Sequence, residues 1–156
     1  MPVQKAIQFT ASTTDFRNLF GKSSQVDKVL MRELRKQIRK AAQEAAKAAQ
    51  AEVLKPPLHD SPNTASSGLR RDLAAGIKVS VMTGKTAGVA IRSTGRGSLA
   101  RRYDGQRKKW RHPVFGQDVW VNETGRPYFG SVISSHRNKV TAAVQTAMET
   151  AVKSLQ

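Results

Sequence analysis

The sequence predicts an α+β fold: a small antiparallel β-sheet packed by a long N-terminal helix and a C-terminal helix, with extended loops and an arm outside it. Three observations predict it. Apolar residues recur in steps of three and four across residues 24–54. A second stripe of the same period runs from about 127 to 155. Between them, residues 77–91 alternate apolar and polar about a turn.

The elements follow in chain order. Residues 4–9 alternate weakly, Ile7 and Phe9 against Gln4 and Gln8, which suits a short strand. Residues 10–23 mix Thr, Ser, Asn and Gly around Phe16, Leu19 and Phe20 and read as loop. Residues 1–23 are therefore assigned to an arm and 24–156 to one domain. Ser24 and Asp27 stand in the spacing of an N-terminal cap. Val26, Leu30, Leu34, Ile38, Ala41, Ala45, Ala48, Ala49 and Val53 then form one helical stripe, bulky at first and alanine-only later. The alanines allow close approach of another backbone. Pro56 and Pro57 stop the helix, after roughly 45 Å at the usual rise.

KPPLHDSPNTASSG, residues 55–68, is loop by composition, and Leu69 to Ala75 suit a short helical turn. Ile77, Val79 and Val81, a TGKTAG turn, then Val89 and Ile91 read as a β-hairpin. Residues 92–111 read as a basic loop, and Val119 and Val121 suit a further strand. From about Pro127 the chain turns helical, with Ile133, Val140, Val144, Ala147, Ala151 and Leu155 on one stripe.

Composition bounds the chemistry. A chain of 156 residues can bury the core of one ordinary domain. Twenty-seven Lys and Arg against 11 Asp and Glu give a formal charge of +16, which argues for an anionic partner: nucleic acid, an acidic protein surface or an anionic membrane. No cysteine is present, so disulfides and thiolate chemistry are excluded. The first residues carry no apolar run of the secretory kind, and no window approaches the ~18 apolar residues of a membrane span.

No catalytic constellation stands out, and the chain is expected not to be an enzyme and to hold no cofactor or metal. His59, His112 and His136 lie in separate elements without metal-ligand spacing. TGKTAG at 83–88 lacks the phosphate-loop spacing, and STGRGSL at 93–99 lacks the strand-to-helix context of nucleotide sites. No G-x-S-x-G elbow occurs, and the carboxylates are scattered.

The segment 92–111 is the strongest compositional feature. It carries Arg92, Arg96, Arg101, Arg102, Arg107, Lys108, Lys109 and Arg111 against Asp104 alone, with Tyr103 and Trp110 interleaved. Guanidiniums grip phosphates bidentately and aromatics stack on bases, so contact with nucleic acid is one reading. Pairing with an acidic protein neighbour is a second, and plain solvation a third. The first helix carries further cations (Lys28, Arg32, Arg35, Lys36, Arg39, Lys40 and Lys47), for which a solvated polar face is the ordinary reading. Both tryptophans, Trp110 and Trp120, stand with Phe115, Tyr128 and Phe129 between residues 110 and 129 of a chain otherwise poor in aromatics. Trp110, Trp120, Tyr128 and Phe129 are therefore assigned to core or subunit contact.

The order of short motifs completes the reading. G-L-R (Gly68, Leu69, Arg70) is followed by H-P-x-x-G (His112, Pro113, Gly116), a W-V step (Trp120, Val121) and R-P-Y-F (Arg126 to Phe129), between a basic amphipathic helix and a terminal helix. Over about residues 25–155 this resembles the neck or tail-completion proteins of long-tailed bacteriophages, the lambdoid minor tail protein Z-like group. The resemblance implies a structural virion protein of the head–tail junction, made in the host bacterial cytoplasm. It implies a homo-oligomeric ring with other neck, connector and tail-terminator proteins as partners, and packaged DNA in its channel. It brings no catalytic residues. The alternative reading is a free basic nucleic-acid-binding protein.

Overall fold

The computed structural model describes residues 5–11, 28–55, 68–82, 87–95, 97–105, 109–113 and 118–154. The architecture is α+β, as the periodicities predict. In chain order the elements are β1 (Lys5–Ala11), α1 (Lys28–Leu54), α2 (Gly68–Ala75), β2 (Ile77–Met82), β3 (Ala87–Ser93), α3 (Ser98–Gly105), β4 (Lys109–Pro113), β5 (Trp120–Thr124), α4 (Gly130–Ser135) and α5 (Arg137–Lys153).

Strands β1, β3 and β2 form an antiparallel sheet in that spatial order, with β3 central. The register sets Ile7 opposite Ile91 and Ile91 opposite Val79, with Val81 opposite Val89. Residues directly opposite share a face, so these side chains make one apolar layer. β1 is thus an integral strand. Residues 5–11 were expected within an arm, but their alternating side chains find a partner edge on β3.

Helices α1 and α5 pack on that layer and on each other. α1 buries Leu34, Ile38, Ala42, Ala45, Ala46, Ala49 and Val53. Ala42 and Ala46 face the core in place of Ala41 and Ala48 of the expected stripe, which are half-buried, because steps of four from Leu34 and Ile38 lead to Ala42 and Ala46. Alanine side chains let α1 approach α5 and β2 closely, as the second half of the stripe predicts. The expected cap at Ser24 and Asp27, and Val26 of the stripe, lie outside the described residues.

The C-terminal stripe is also realised. Ile133, Val140, Val144, Ala147 and Ala151 are buried, joined by Met148. It lies on two helices, because the chain breaks at His136, whose φ is −91° and ψ 0°. There the His136 backbone N–H donates to the Ile133 carbonyl at 3.1 Å, and its Nδ1 lies 2.9 Å from the Val132 carbonyl oxygen. Leu155 lies outside the described residues.

Two corrections concern the segment expected as a basic loop, 92–111. Residues 98–105 form helix α3, with Leu99, Ala100 and Tyr103 turned toward the core and Arg101 and Arg102 outward. Those three apolar positions carry the helical period, which the flanking charges obscure in the sequence. Residues 109–113 form β4, which pairs antiparallel with β5 as a separate two-stranded ribbon.

Two glycines are demanded by close approach. A Cβ on Gly76 would meet the Gly95 Cα at 2.7 Å, and a Cβ on Gly95 would meet the Asp72 carbonyl oxygen at 2.8 Å. The Gly76 carbonyl also accepts from both the backbone N–H and the hydroxyl of Thr94, each at 2.9 Å. The start of β2 is therefore clamped to the end of β3. Gly76→Ala is expected to cost about 1–3 kcal/mol, the usual range for overpacking. Gly105→Ala, where nothing stands within 4 Å, should stay within ~0.5 kcal/mol of the parent. Denaturant unfolding of the two variants checks this, and equal midpoints would contradict the clamp.

Candidate functional site

The residues singled out in the sequence do not converge on one site. Arg92 is half-buried on β3, directly opposite Lys78 of β2. Arg101 and Arg102 are exposed on α3, and Arg111 is exposed on β4. Arg96, Arg107 and Lys108 lie outside the described residues, as do the side chains of Lys109 and Trp110, whose backbones belong to β4. The positive charge is thus divided among a sheet strand, a helix and a ribbon.

The aromatics divide into two groups. Tyr103, Tyr128 and Phe129 are buried in the core. Its place among the cations predicts Tyr103, with Trp110, as an aromatic that stacks on bases. Instead its ring packs edge-on to Tyr128 at 5.8 Å, and Tyr128 packs edge-on to Phe129 at 6.4 Å, so Tyr103 is structural. Trp120 is the reverse case. It is 54% exposed on β5, beside Val119 at 47%, and therefore does not belong to the core of this chain. The Arg111 guanidinium lies 5.3 Å from the centroid of the Trp120 ring, a cation–π contact across the ribbon. Register explains it: Arg111 is opposite Asn122 and Pro113 opposite Trp120, so Arg111 and Trp120 are diagonal neighbours on one face.

What gathers the chain is R-P-Y-F. The Arg126 Nη1 donates to Glu52 Oε1 of α1 at 2.9 Å, with both side chains largely buried. The Tyr128 hydroxyl shares a hydrogen bond of 3.1 Å with Ser93 Oγ at the end of β3. The backbone N–H groups of Tyr128, Phe129 and Gly130 donate to Asp104 Oδ1 at 3.0, 2.6 and 3.3 Å. Asp104, at the end of α3, thus supplies the cap that α4 lacks from its own N-cap residue Phe129. Sequence reasoning counted Asp104 only as the lone acid among cations, and no spacing rule connects it to a helix start 26 residues later.

Electrostatics around this hub follow from the contacts. Hydrogen bonds from Lys55 and then Arg126 hold the Glu52 carboxyl below the usual carboxylate range. A depressed folded-state pKa adds stability above the unfolded value, and that stability is lost as pH falls through the folded one. Burial pushes the Tyr128 phenol up, against the opposing hydrogen bond from Ser93, so it is a neutral hydroxyl at ordinary pH.

No protein-family model matches the chain, no curated protein matches it, and no solved structure matches it.

Among the described residues no group of three or more His, Asp or Glu side chains is placed to hold a metal ion, and no helix is long and apolar enough to cross a membrane. What the arrangement offers is contact: exposed cations on α1, α3 and β4, and an exposed Trp120 oriented by Arg111.

Asp104→Ala would strip the acceptor from three backbone donors, two of them in buried hydrogen bonds. Hydrogen bonds to a charged group contribute about 1.5–3 kcal/mol each, so a loss of at least ~3 kcal/mol is expected. Asp104→Asn keeps one acceptor oxygen and should fall between Ala and the parent. Urea titrations that place the Ala variant at or above the Asn variant in stability would remove Asp104 from this role.

Proposed function

We propose that the protein is a structural component of the bacteriophage head–tail junction, a neck subunit that joins copies of itself and neighbouring ring proteins between capsid connector and tail. The reading starts from the ordered motifs. The observation that carries it is the exposed Val119–Trp120 step on the β4–β5 ribbon, with Trp120 covered on one side by Arg111. Buried aromatics elsewhere close the core, so this large apolar surface is not needed there. Exposed apolar clusters edged by polar residues mark contact surfaces, and tryptophan and arginine are the side chains that most often dominate binding energy. A ring subunit needs two complementary patches related by a rotation that closes. The ribbon supplies one candidate, and the exposed faces of α1 and α3 supply others.

A second reading, a free nucleic-acid-binding protein, is favoured by one observation, the cation-rich exposed face of α1. Composition of purified particles separates the two. The neck reading expects the protein at a fixed copy number in virions. It also expects that phage lacking its gene accumulate filled heads and tails that do not join stably. Normal, infectious joined particles without it would overturn the reading.

The ribbon generates a sharper test. Phe129→Ala should destabilise the isolated subunit by about 3–5 kcal/mol, as for other buried aromatics. Trp120→Ala should leave subunit melting within about 1 kcal/mol of the parent yet reduce incorporation into particles. Lys47→Ala, on the exposed face of α1, should leave melting unchanged. A Trp120→Ala variant that incorporates normally would exclude the ribbon as the contact.

A further inference from the structure

The polar face of helix α1 carries a row of cations. At about 100° per residue, Arg32, Lys36, Arg39, Lys40, Gln43 and Lys47 fall within roughly one 100° sector. All six side chains are exposed. The carboxylates of this helix face, Glu33 and Glu44, stand at one edge of that sector or beyond it. Lys36 lies 3.8 Å from Glu33, and Glu44 is held by Lys139 of α5. The contact with Lys139 also draws the Glu44 carboxyl below its usual range. A groove runs along this sector, lined by Met31, Arg32, Lys36, Arg39, Lys40 and Gln43 among others.

We propose that this groove on α1 is a binding site for the sugar–phosphate backbone of DNA, separate from the cations of residues 92–111. The row from Arg32 to Lys47 is about 22 Å long and its members repeat at steps of three and four residues, so a linear array of cations faces a linear array of phosphates. Guanidiniums at Arg32 and Arg39 can each take two phosphate oxygens, and Gln43 adds a neutral donor among them. The sector lacks what an acidic protein partner would need. Interface cores are depleted in charge and enriched in aromatic anchors, whereas among the described lining residues the apolar side chain is the half-buried Met31 and the others are cations and Gln43. Interfaces with DNA are more polar and far more positive, which this face matches. Contact of this row with phosphates is dominated by counterion release, which a duplex of any sequence supplies. The inference stands on α1 alone and does not require the neck reading.

The test is fluorescence anisotropy of the full chain with a short labelled duplex of arbitrary sequence, titrated at several salt concentrations. The parent should bind, with affinity falling steeply between about 50 and 200 mM salt. The variant Arg32→Gln, Lys36→Gln, Arg39→Gln, Lys40→Gln should keep its helicity, since glutamine has a helix propensity close to that of lysine and arginine. It should lose at least about tenfold in affinity at low salt, and its log–log salt slope should shrink by roughly 3–4, near 0.9 for each phosphate contact removed. Arg101→Gln, Arg102→Gln, Arg111→Gln should change the slope less. Absence of binding by the parent overturns the proposal. So does a fourfold variant, folded as judged by circular dichroism, with unchanged affinity and slope. A fourfold variant that binds DNA normally but no longer joins heads to tails would assign the groove to an acidic protein and likewise overturn it. DNA binding lost with α1's cations, in a protein absent from virions, would sustain this site while removing the neck reading.

Discussion

One carboxylate organises the second half of this chain. Asp104 accepts the backbone N–H groups of Tyr128, Phe129 and Gly130 and so fixes where α4 begins. The first turn of any helix leaves donors without partners, and a buried donor without one costs free energy. Here the solution comes from α3, more than twenty residues upstream. With α4 placed, Tyr128 reaches Ser93 at the end of β3, and Phe129 enters the core beside it. Arg126 simultaneously reaches back to Glu52 near the end of α1. Four elements, α1, β3, α3 and α4, therefore meet at one tetrapeptide. The C-terminal end of α1 is held further by Arg70 of α2, whose guanidinium donates to the Lys55 carbonyl at 3.1 Å. Gln50 also donates to the carbonyls of Ala74 and Ile77, so α1, α2 and β2 are fixed to each other by polar contacts as well as by packing.

The parts legible in the sequence are those where one period dominates. The stripes of α1 and α5, the β2–β3 hairpin, the short α2 and the stop after α1 each follow from local rules. The parts that were not legible depend on partners distant in sequence. α3 was hidden because eight cations within twenty residues outweigh a period carried by Leu99, Ala100 and Tyr103. β4 has no alternation of its own and exists as a strand through pairing with β5. The role of Asp104 is a tertiary contact that no spacing announces. The break at His136 is equally silent, since the apolar stripe continues through it.

The site was legible as chemistry but not as geometry. Residue types in 92–111 announce positive charge, and the structure distributes that charge over β3, α3 and β4. The aromatics announce packing, and the structure separates them: Tyr103, Tyr128 and Phe129 go inward while Trp120 stays out. Trp120 shares a face with Arg111 and Asn122, all three exposed, and the guanidinium over its ring covers part of the indole without desolvating the charge. Composition alone cannot distinguish an aromatic that closes a core from one that waits for a partner.

The distribution of charge leads to a last point about stability. Several cations serve the fold: Arg70 and Arg126 are tied into the hub, and Lys55 and Lys139 engage Glu52 and Glu44. Among the described residues most of the Lys and Arg side chains are exposed. A surplus of one sign destabilises a compact state through self-repulsion, and exposed ion pairs offset little of it. The separation on α1 sharpens this cost, because cations at steps of three and four repel one another where alternating signs would attract. Glu33 and Glu44 flank the row and offset part of this repulsion. An anionic partner converts that repulsion into attraction, and by linkage anything that binds only the folded state raises its stability. By that linkage, an anionic partner seated on the α1 row would stabilise the fold that the row by itself weakens.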